Sequence, residues 1–264
     1  MASGSSPDDL SQAACPGPGK RYGPGATGGR LRMLHWNIHS WRDDAGVPNH
    51  EAVAGLIRET APHAVSLVEV NESWGAPSLL GGLAQALGYG WVFVPAFTYG
   101  GDPPSRGFGN ALLTTLPISA VQQWQIHSPP EGYDGAEPSE PRTVVCARIT
   151  WVGEALWVCG THLPASDAAA RASALRRLAA LLGKLDGPWL ACGDFNTPPS
   201  TRAGERRGAA VCPDPPEPTY PAAKPVEPID YCLVSAGLEA EASVLRTGGS
   251  DHLPVLVSAD LRRP

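Results

Sequence analysis

The chain has 264 residues, 42% hydrophobic and 17% charged, which supplies a sizeable core and excludes a disordered chain. A formal net charge of -6 argues against broad capture of phosphate backbones, which needs clustered Lys and Arg; a small phosphorylated substrate held by a metal remains compatible. No apolar run reaches the ~18 residues of a membrane span and the start lacks a secretory pattern, so a cytoplasmic protein is expected.

The 30 glycines and 28 prolines predict many turns between short elements. Residues 1–30 read as a flexible Gly/Pro/Ser-rich tail and 31–264 as one folded domain. Gly23–Gly28 resembles a dinucleotide-binding glycine loop, but no strand precedes it, and a lead-in is the better reading. "LRMLHWNI" begins the domain as a strand. Pro48 to Thr60 follows as a helix with Val53, Leu56 and Ile57 as its apolar stripe. "HAVSLVEV" is a buried strand ending at Glu69, Leu79 to Leu87 a short helix, and "WVFVPAF" a strand.

"GNALLTTLPI", "VQQWQIH", "TVVCARITWV" and "EALWVCGTHL" continue the strand series. Asp167 to Leu185 is a helix capped by Ser166, with Leu175, Leu178, Leu182 and Leu185 at three- and four-residue steps. A strand "PWLACGDFN", a Pro-rich loop from Thr197 to Pro228, and strands "IDYCLVS", near "ASVLRT", and Leu253 to Val257 complete the chain. Strands outnumber helices, and helices flank strand groups in both halves. The pattern predicts two sheets packed face to face with helices outside. Cys146, Cys159, Cys192 and Cys232 lie in apolar runs without a C-x-x-C pair, and are expected as reduced, small hydrophobes.

Eight polar residues stand at strand ends: Asn37, Glu69, His162, Asp194, Asn196, Asp230, Asp251 and His252. Each would cost desolvation beside such apolar runs unless it finds a partner. Strands lying side by side would bring all of them to one rim, a site on a rigid scaffold. Carboxylates and amides without a thiolate suit Mg²⁺, with Mn²⁺ as the substitute, rather than tetrahedral zinc. No G-x-S-x-G elbow is present. Metal-assisted hydrolysis at phosphorus, with a His–Asp pair handling a proton, uses the whole set.

The segments "WNIHS", "SLVEV", "GNALLTTLPI", "EPR", "GTHLP", "GDFNTPP", "IDYCLVS" and "SDHLPV", spread in order over residues 36–255, resemble the endonuclease/exonuclease/phosphatase superfamily. The resemblance implies a four-layer α/β sandwich, two mixed β-sheets flanked by helices, and Mg²⁺-dependent phosphoester hydrolysis. It implies that Asn37, Glu69 and Asp251 form the metal environment, Glu69 binding directly. His162 would donate to the phosphoryl oxygen, Asp194 would orient or deprotonate water, and Asn196 would hold the phosphate. Asp230 and His252 would form the proton-handling dyad. Arg142 of "EPRTVV" matches a phosphate-facing arginine, with a solvated strand-edge charge as its alternative.

Other positions receive plainer readings. His39 shares a strand face with Asn37 and is expected as a hydrogen-bond partner. Arg106 sits in a loop too irregular to place, and Tyr99 reads as a surface tyrosine. His35 and His127 read as packing or surface histidines, Glu72 as a solvated loop acid, and Arg176–Arg177 as a solvated helix face. The tryptophans are too dispersed for a base-stacking platform.

The missing "PSWCDR" pattern, replaced by "VEPIDYC", argues against an inositol polyphosphate 5-phosphatase, and no apolar docking segment suggests a membrane-acting sphingomyelinase. A phosphorylated small molecule is therefore favoured over nucleic acid, with a DNA or RNA nuclease as the alternative. A catalytically silent binding relative ranks third, because every expected position of the set is filled.

Overall fold

Alternation along the first strand decides which side of the molecule each residue faces. In Leu31–Asn37 (β1), Leu31 and Met33 join the apolar cluster between two sheets, whereas Leu34 and Trp36 join the cluster beneath the helices. His35 and Asn37 continue the inner face by the same period of two. The computed structural model describes residues 29–74, 77–101, 103–128, 140–199 and 209–262. The expected tail, apart from its last two residues, lies outside them, as does its glycine loop.

The first half of the chain runs α1 (His50–Thr60), β2 (Ala64–Ser73), α2 (Leu79–Leu87), β3 (Gly90–Tyr99), β4 (Arg106–Thr114) and β5 (Ile118–His127). The second half runs β6 (Arg142–Trp151), β7 (Glu154–His162), α3 (Ala168–Leu182), β8 (Trp189–Asp194), β9 (Ala210–Cys212), β10 (Asp230–Val234), β11 (Leu238–Val244) and β12 (Val255–Leu261). They build two six-stranded mixed sheets, ordered β11-β12-β1-β2-β4-β3 and β5-β6-β7-β8-β10-β9. Leu112, Val145, Val158, Leu190 and Val257 are among the residues that fill the space between them. Val53, Ile57, Leu80 and Leu83 seal α1 and α2 onto the first sheet, and Ala174, Leu178 and Leu182 seal α3 onto the second. Each fully buried side chain of this size stabilises by about 1.5–3 kcal/mol. The result is the expected four-layer α/β sandwich.

Several expected boundaries shift, each for a local reason. The first helix begins at His50, because Pro48 lies in a bridge with Arg42. Asp167, not Ser166, caps α3, its carboxylate accepting from the Ala169 and Ala170 amides, and the helix ends at Leu182. The strand through Glu69 does not stop there but bulges and continues to Ser73. "GNALLTTLPI" divides at a turn into the ends of β4 and β5, and the Pro-rich loop contains the short strand β9. The last strand starts at Val255, so Asp251 and His252 occupy the loop before it.

The cysteine reading is corrected. Cys146 and Cys159 face each other across β6 and β7 and form a disulfide with an S–S distance of 2.11 Å. Cys192 and Cys232 do the same across β8 and β10 at 2.09 Å, while Cys212 is a buried free thiol. Antiparallel register puts each pair directly opposite, a relation that spacing along the chain does not display. Among the described residues no helix is long and apolar enough to cross a membrane.

Candidate active site

Register alone assembles a third of the rim. In the second sheet His162 is paired with Asp194 across β7 and β8, and Asp194 with Asp230 across β8 and β10. These three side chains end the inner faces of adjacent strands, and all are buried. Gly193 permits the close approach: a Cβ there would stand 2.6 Å from the Thr161 carbonyl oxygen. The first sheet contributes Asn37 from the end of β1 and Glu69 from the bulge in β2. Glu69 has φ 56°, a left-handed conformation that costs a non-glycine residue about 1–3 kcal/mol. One buried core side chain offsets that strain, which re-aims the carboxylate off the strand.

Hydrogen bonds join the two sheets. The Asn37 side-chain amide donates to Glu69 Oε1 and to Asp194 Oδ2, both at 3.1 Å. Asp194 Oδ1 accepts from the Asn196 backbone amide at 2.9 Å, fixing the left-handed turn at Asn196. Asn196 Nδ2 donates to the Leu163 carbonyl at 2.9 Å and lies 3.0 Å from His162 Nε2. Asp251 stands at the edge, its Oδ1 3.1 Å from Ser250 Oγ, which donates to the Asn37 carbonyl oxygen at 2.7 Å.

Arg142 is buried, not a solvated strand-edge charge. Its Nη1 donates to His162 Nδ1 at 2.9 Å and its Nη2 pairs with Glu140 at 2.9 Å. A guanidinium only donates, so Nδ1 is the acceptor and the ring proton sits on Nε2. Burial, reinforced by the Arg142 charge, lowers the His162 pKa well below the ordinary histidine value, in keeping with a neutral ring. With Nδ1 turned to Arg142, the Nε2 proton has Asp194 Oδ2 at 3.5 Å as its nearest acceptor, and the 3.0 Å approach of Asn196 Nδ2 sets two donors side by side, a crowding that an incoming oxygen between them would relieve.

His252 is held differently. Its Nδ1 donates to Asp230 Oδ2 at 2.8 Å, and its Nε2 lies 3.7 Å from Asp194 Oδ2. Burial by itself would lower this imidazole; Asp230 and Asp194 outweigh burial and raise it to about 10. Asp230 suffers the same desolvation, but the charge and hydrogen bond of His252 hold it well below the carboxylate range. Asp194 goes the other way, pushed up to about 7 by burial and by the charge of Asp230. One acid strongly ionised, one poised near neutrality and one cationic imidazole share a few ångströms.

All of the expected site residues therefore reach one rim: Asn37, Glu69, Arg142, His162, Asp194, Asn196, Asp230, Asp251 and His252. His39 is a hydrogen-bond partner through its backbone, whose amide donates to Asn37 Oδ1 at 3.1 Å, while its ring stops 3.8 Å from Asp251 Oδ1. Tyr99 is half-buried and donates to Asn71 Oδ1 at 2.6 Å; Arg106 is exposed at the start of β4. Glu72 is buried rather than solvated and accepts the Leu80 amide at 2.8 Å, steadying α2.

Three contributors were not singled out for the rim. Thr219 is fully buried and its hydroxyl donates to Asp230 Oδ2 at 2.6 Å, and the Tyr220 ring packs 4.7 Å from that of His252. Both lie in the Pro-rich stretch, where no periodicity points at them. His35 is wholly buried with its Nε2 3.5 Å from Asp230 Oδ1. Its place two residues before Asn37 was a usable signal, since both share the inner face of β1.

Asp194, Asp230 and His252 also form a buried group whose ligating atoms lie within 4.8 Å of one another. A two-sheet sandwich with an acid–histidine rim of this kind defines a hydrolase. The model of the Endonuclease/Exonuclease/phosphatase family matches residues 34–252, and the chain belongs to that family. It is similar to an endonuclease/exonuclease/phosphatase from Beutenbergia cavernae at 21% identity, covering 88% of this chain and 72% of that one, with TM-score 0.68. A mannosyl-6-phosphatase from Bacteroides thetaiotaomicron is 15% identical, covering 88% and 100%, with TM-score 0.68. The catalytic domain of human Nocturnin, with bound sulfate, is 17% identical, covering 89% and 94%, with TM-score 0.63. The search of curated proteins found no match.

Proposed function

We propose that this protein is a Mg²⁺-dependent phosphoesterase acting on a small phosphorylated molecule. The carrying observation is the hydrogen-bonded rim itself, which sets paired donors opposite acids of unequal proton affinity. The donor set fits a hard divalent cation: Glu69 and Asp251 offer carboxylate oxygens and Asn37 an amide oxygen, without a thiol. Burial first, and the Asp230 charge second, raise the Asp194 pKa, a cost that a nearby cation would relieve. Asp230 Oδ2 and His252 Nδ1 are engaged with each other, so we assign that pair to proton handling rather than to the metal. A bound Mg²⁺ supplies Lewis-acid polarisation of the phosphoryl group and acidifies water.

In this reading His162 and Asn196 bind the phosphoryl oxygens, with Arg142 holding the His162 tautomer. Their donors stabilise charge that develops on those oxygens. Asp194, near neutrality in its pKa, takes a proton from water. His252, cationic and braced by Asp230, gives one to the leaving group. Two titratable groups pushed apart by their surroundings fit base and acid roles.

A small substrate is favoured because four acids crowd the rim and Arg142 is buried with Glu140 beside it, an arrangement suited to one phosphate rather than to a polyanion. The mannosyl-6-phosphatase similarity runs in the same direction. We place the whole activity in residues 31–264. The two disulfides suit an oxidising compartment better than the cytoplasm. Alkylation in denaturant without reductant should spare Cys146, Cys159, Cys192 and Cys232, and labelling of all four would remove that argument.

The functional test is phosphate release and strand cleavage in parallel, with and without Mg²⁺. The panel holds sugar phosphates, nucleotides, bis-p-nitrophenyl phosphate, RNA and plasmid DNA. Metal-dependent turnover of the small esters with intact plasmid is expected. Rapid plasmid nicking would replace this reading with a nuclease.

A further inference from the structure

Asp230 has histidines on both sides. His252 Nδ1 and Thr219 Oγ1 occupy Oδ2 at 2.8 and 2.6 Å. On the other oxygen, Oδ1, the approaching group is His35 Nε2 at 3.5 Å, from the opposite sheet. Both atoms of that contact are buried and have no other hydrogen-bond partner among the described residues. Two buried polar atoms facing each other in this way satisfy one another with a small closure, and each would carry a desolvation cost alone.

The far side of the ring is also built. His35 is in register with Ser66 across the parallel β1–β2 pair, and His35 Nδ1 lies 3.1 Å from Ser66 Oγ. Room for that hydroxyl comes from Gly160 on β7, where a Cβ would stand 2.5 Å from Ser66 Oγ. An ionised Asp230 accepts only, so the facing Nε2 must carry the proton and Nδ1 must accept from the Ser66 hydroxyl. Every donor and acceptor in the row Ser66–His35–Asp230–His252 then has one consistent assignment.

We infer that His35 is a positioning residue that fixes the Asp230 carboxylate so that Oδ2 points at His252. It touches no reacting atom; it acts through Asp230. A partial rotation of the carboxylate about Cβ–Cγ would otherwise turn Oδ2 off the imidazole and loosen its aim. The hydrogen-bond assignment stands on geometry alone, while its kinetic consequence rests on the phosphoesterase reading above.

The first arm of the test is independent of activity. Long-range ¹H–¹⁵N spectra of the full chain should show His35 with its proton on Nε2. They should also show the His252 Nδ1–H resonance moving in His35→Leu, and Ser66→Ala should disturb the His35 ring signals while leaving the fold intact. His35 protonated on Nδ1, or a His252 signal unmoved by His35→Leu, would overturn the inference.

The second arm is kinetic. His35→Leu should lower kcat about tenfold with KM nearly constant. His35→Gln, which keeps an N–H donor, should recover most of the loss. In an Asp230→Asn background the same change should have almost no further effect. An equal loss in both backgrounds would show that His35 does not act through Asp230. Should His35→Leu fail to fold, the spectra of His35→Gln and Ser66→Ala decide the matter. Should the wild type hydrolyse no phosphoester, the functional reading fails while the spectra still test the contact.

Discussion

The two sheets build their halves of the rim by opposite means. The second uses regularity: His162, Asp194 and Asp230 sit in register at the ends of three adjacent strands, buried and fixed by the ladder. The first uses irregularity: Glu69 leaves its strand at a bulge with a positive φ, and the turn His39–Trp41 that follows Asn37 runs through left-handed backbone. Regular register gives a dry, rigid row whose charges perturb one another. Irregular backbone gives a half-exposed carboxylate that can meet a cation together with solvent. The difference suggests a division of labour, proton handling and phosphoryl binding on the second sheet's side, cation binding on the first's.

The most damaging single change should be His252→Ala, which removes the proposed proton donor. Turnover is expected to fall by about 10²–10⁴-fold with the far-ultraviolet spectrum unchanged. Undiminished kcat would remove the dyad from the mechanism. Glu69→Gln tests the other side. It should shift the Mg²⁺ midpoint of activity upward by at least about tenfold, and calorimetry should show the same weakening. An unchanged titration would take the first sheet out of metal binding.

Asp194→Asn probes the charge coupling between the halves. With a folded pKa of about 7 against an ordinary 3.8, Asp194 binds a proton in the native state that the unfolded chain has released between those values. Its contribution to stability is therefore present below pH 4 and lost as pH rises through about 7. In chelator, the melting temperature of Asp194→Asn relative to wild type should climb from pH 4 to 7 and level off above. A flat difference would mean that Asp194 is not strained by its neighbours. The smallest expected effect is Gly193→Ala, which should cost about 1–3 kcal/mol by prying β7 from β8. Urea unfolding measures it, and a neutral result would contradict the tight packing under the row.

Much of this was legible from residue pattern. Strand ends are where alternation stops, so Asn37, His162, Asp194 and Asp230 announced themselves by polarity against apolar runs. Helix edges were less so: whether Ser166 or Asp167 caps α3 is set by backbone angles, not by residue type. Register was hidden altogether. It decided that Cys146 meets Cys159, that Cys192 meets Cys232, and that Ser66 stands beside His35. Thr219 and Tyr220 were hidden for another reason: a short bridge to Glu227, not a run of alternating residues, orders the Pro-rich stretch that carries them. His35 looked like packing because a buried histidine and a positioning histidine have the same sequence signature.

The central claim is that one rim, built by both sheets, hydrolyses a phosphoester with a divalent cation. The most direct measurement is hydrolysis of bis-p-nitrophenyl phosphate by wild type and by Glu69→Gln/His252→Ala, each in Mg²⁺ and in chelator. Turnover by the wild type in Mg²⁺ alone, with the double variant silent, is the predicted result. Equal turnover in chelator, or by the double variant, would contradict the account.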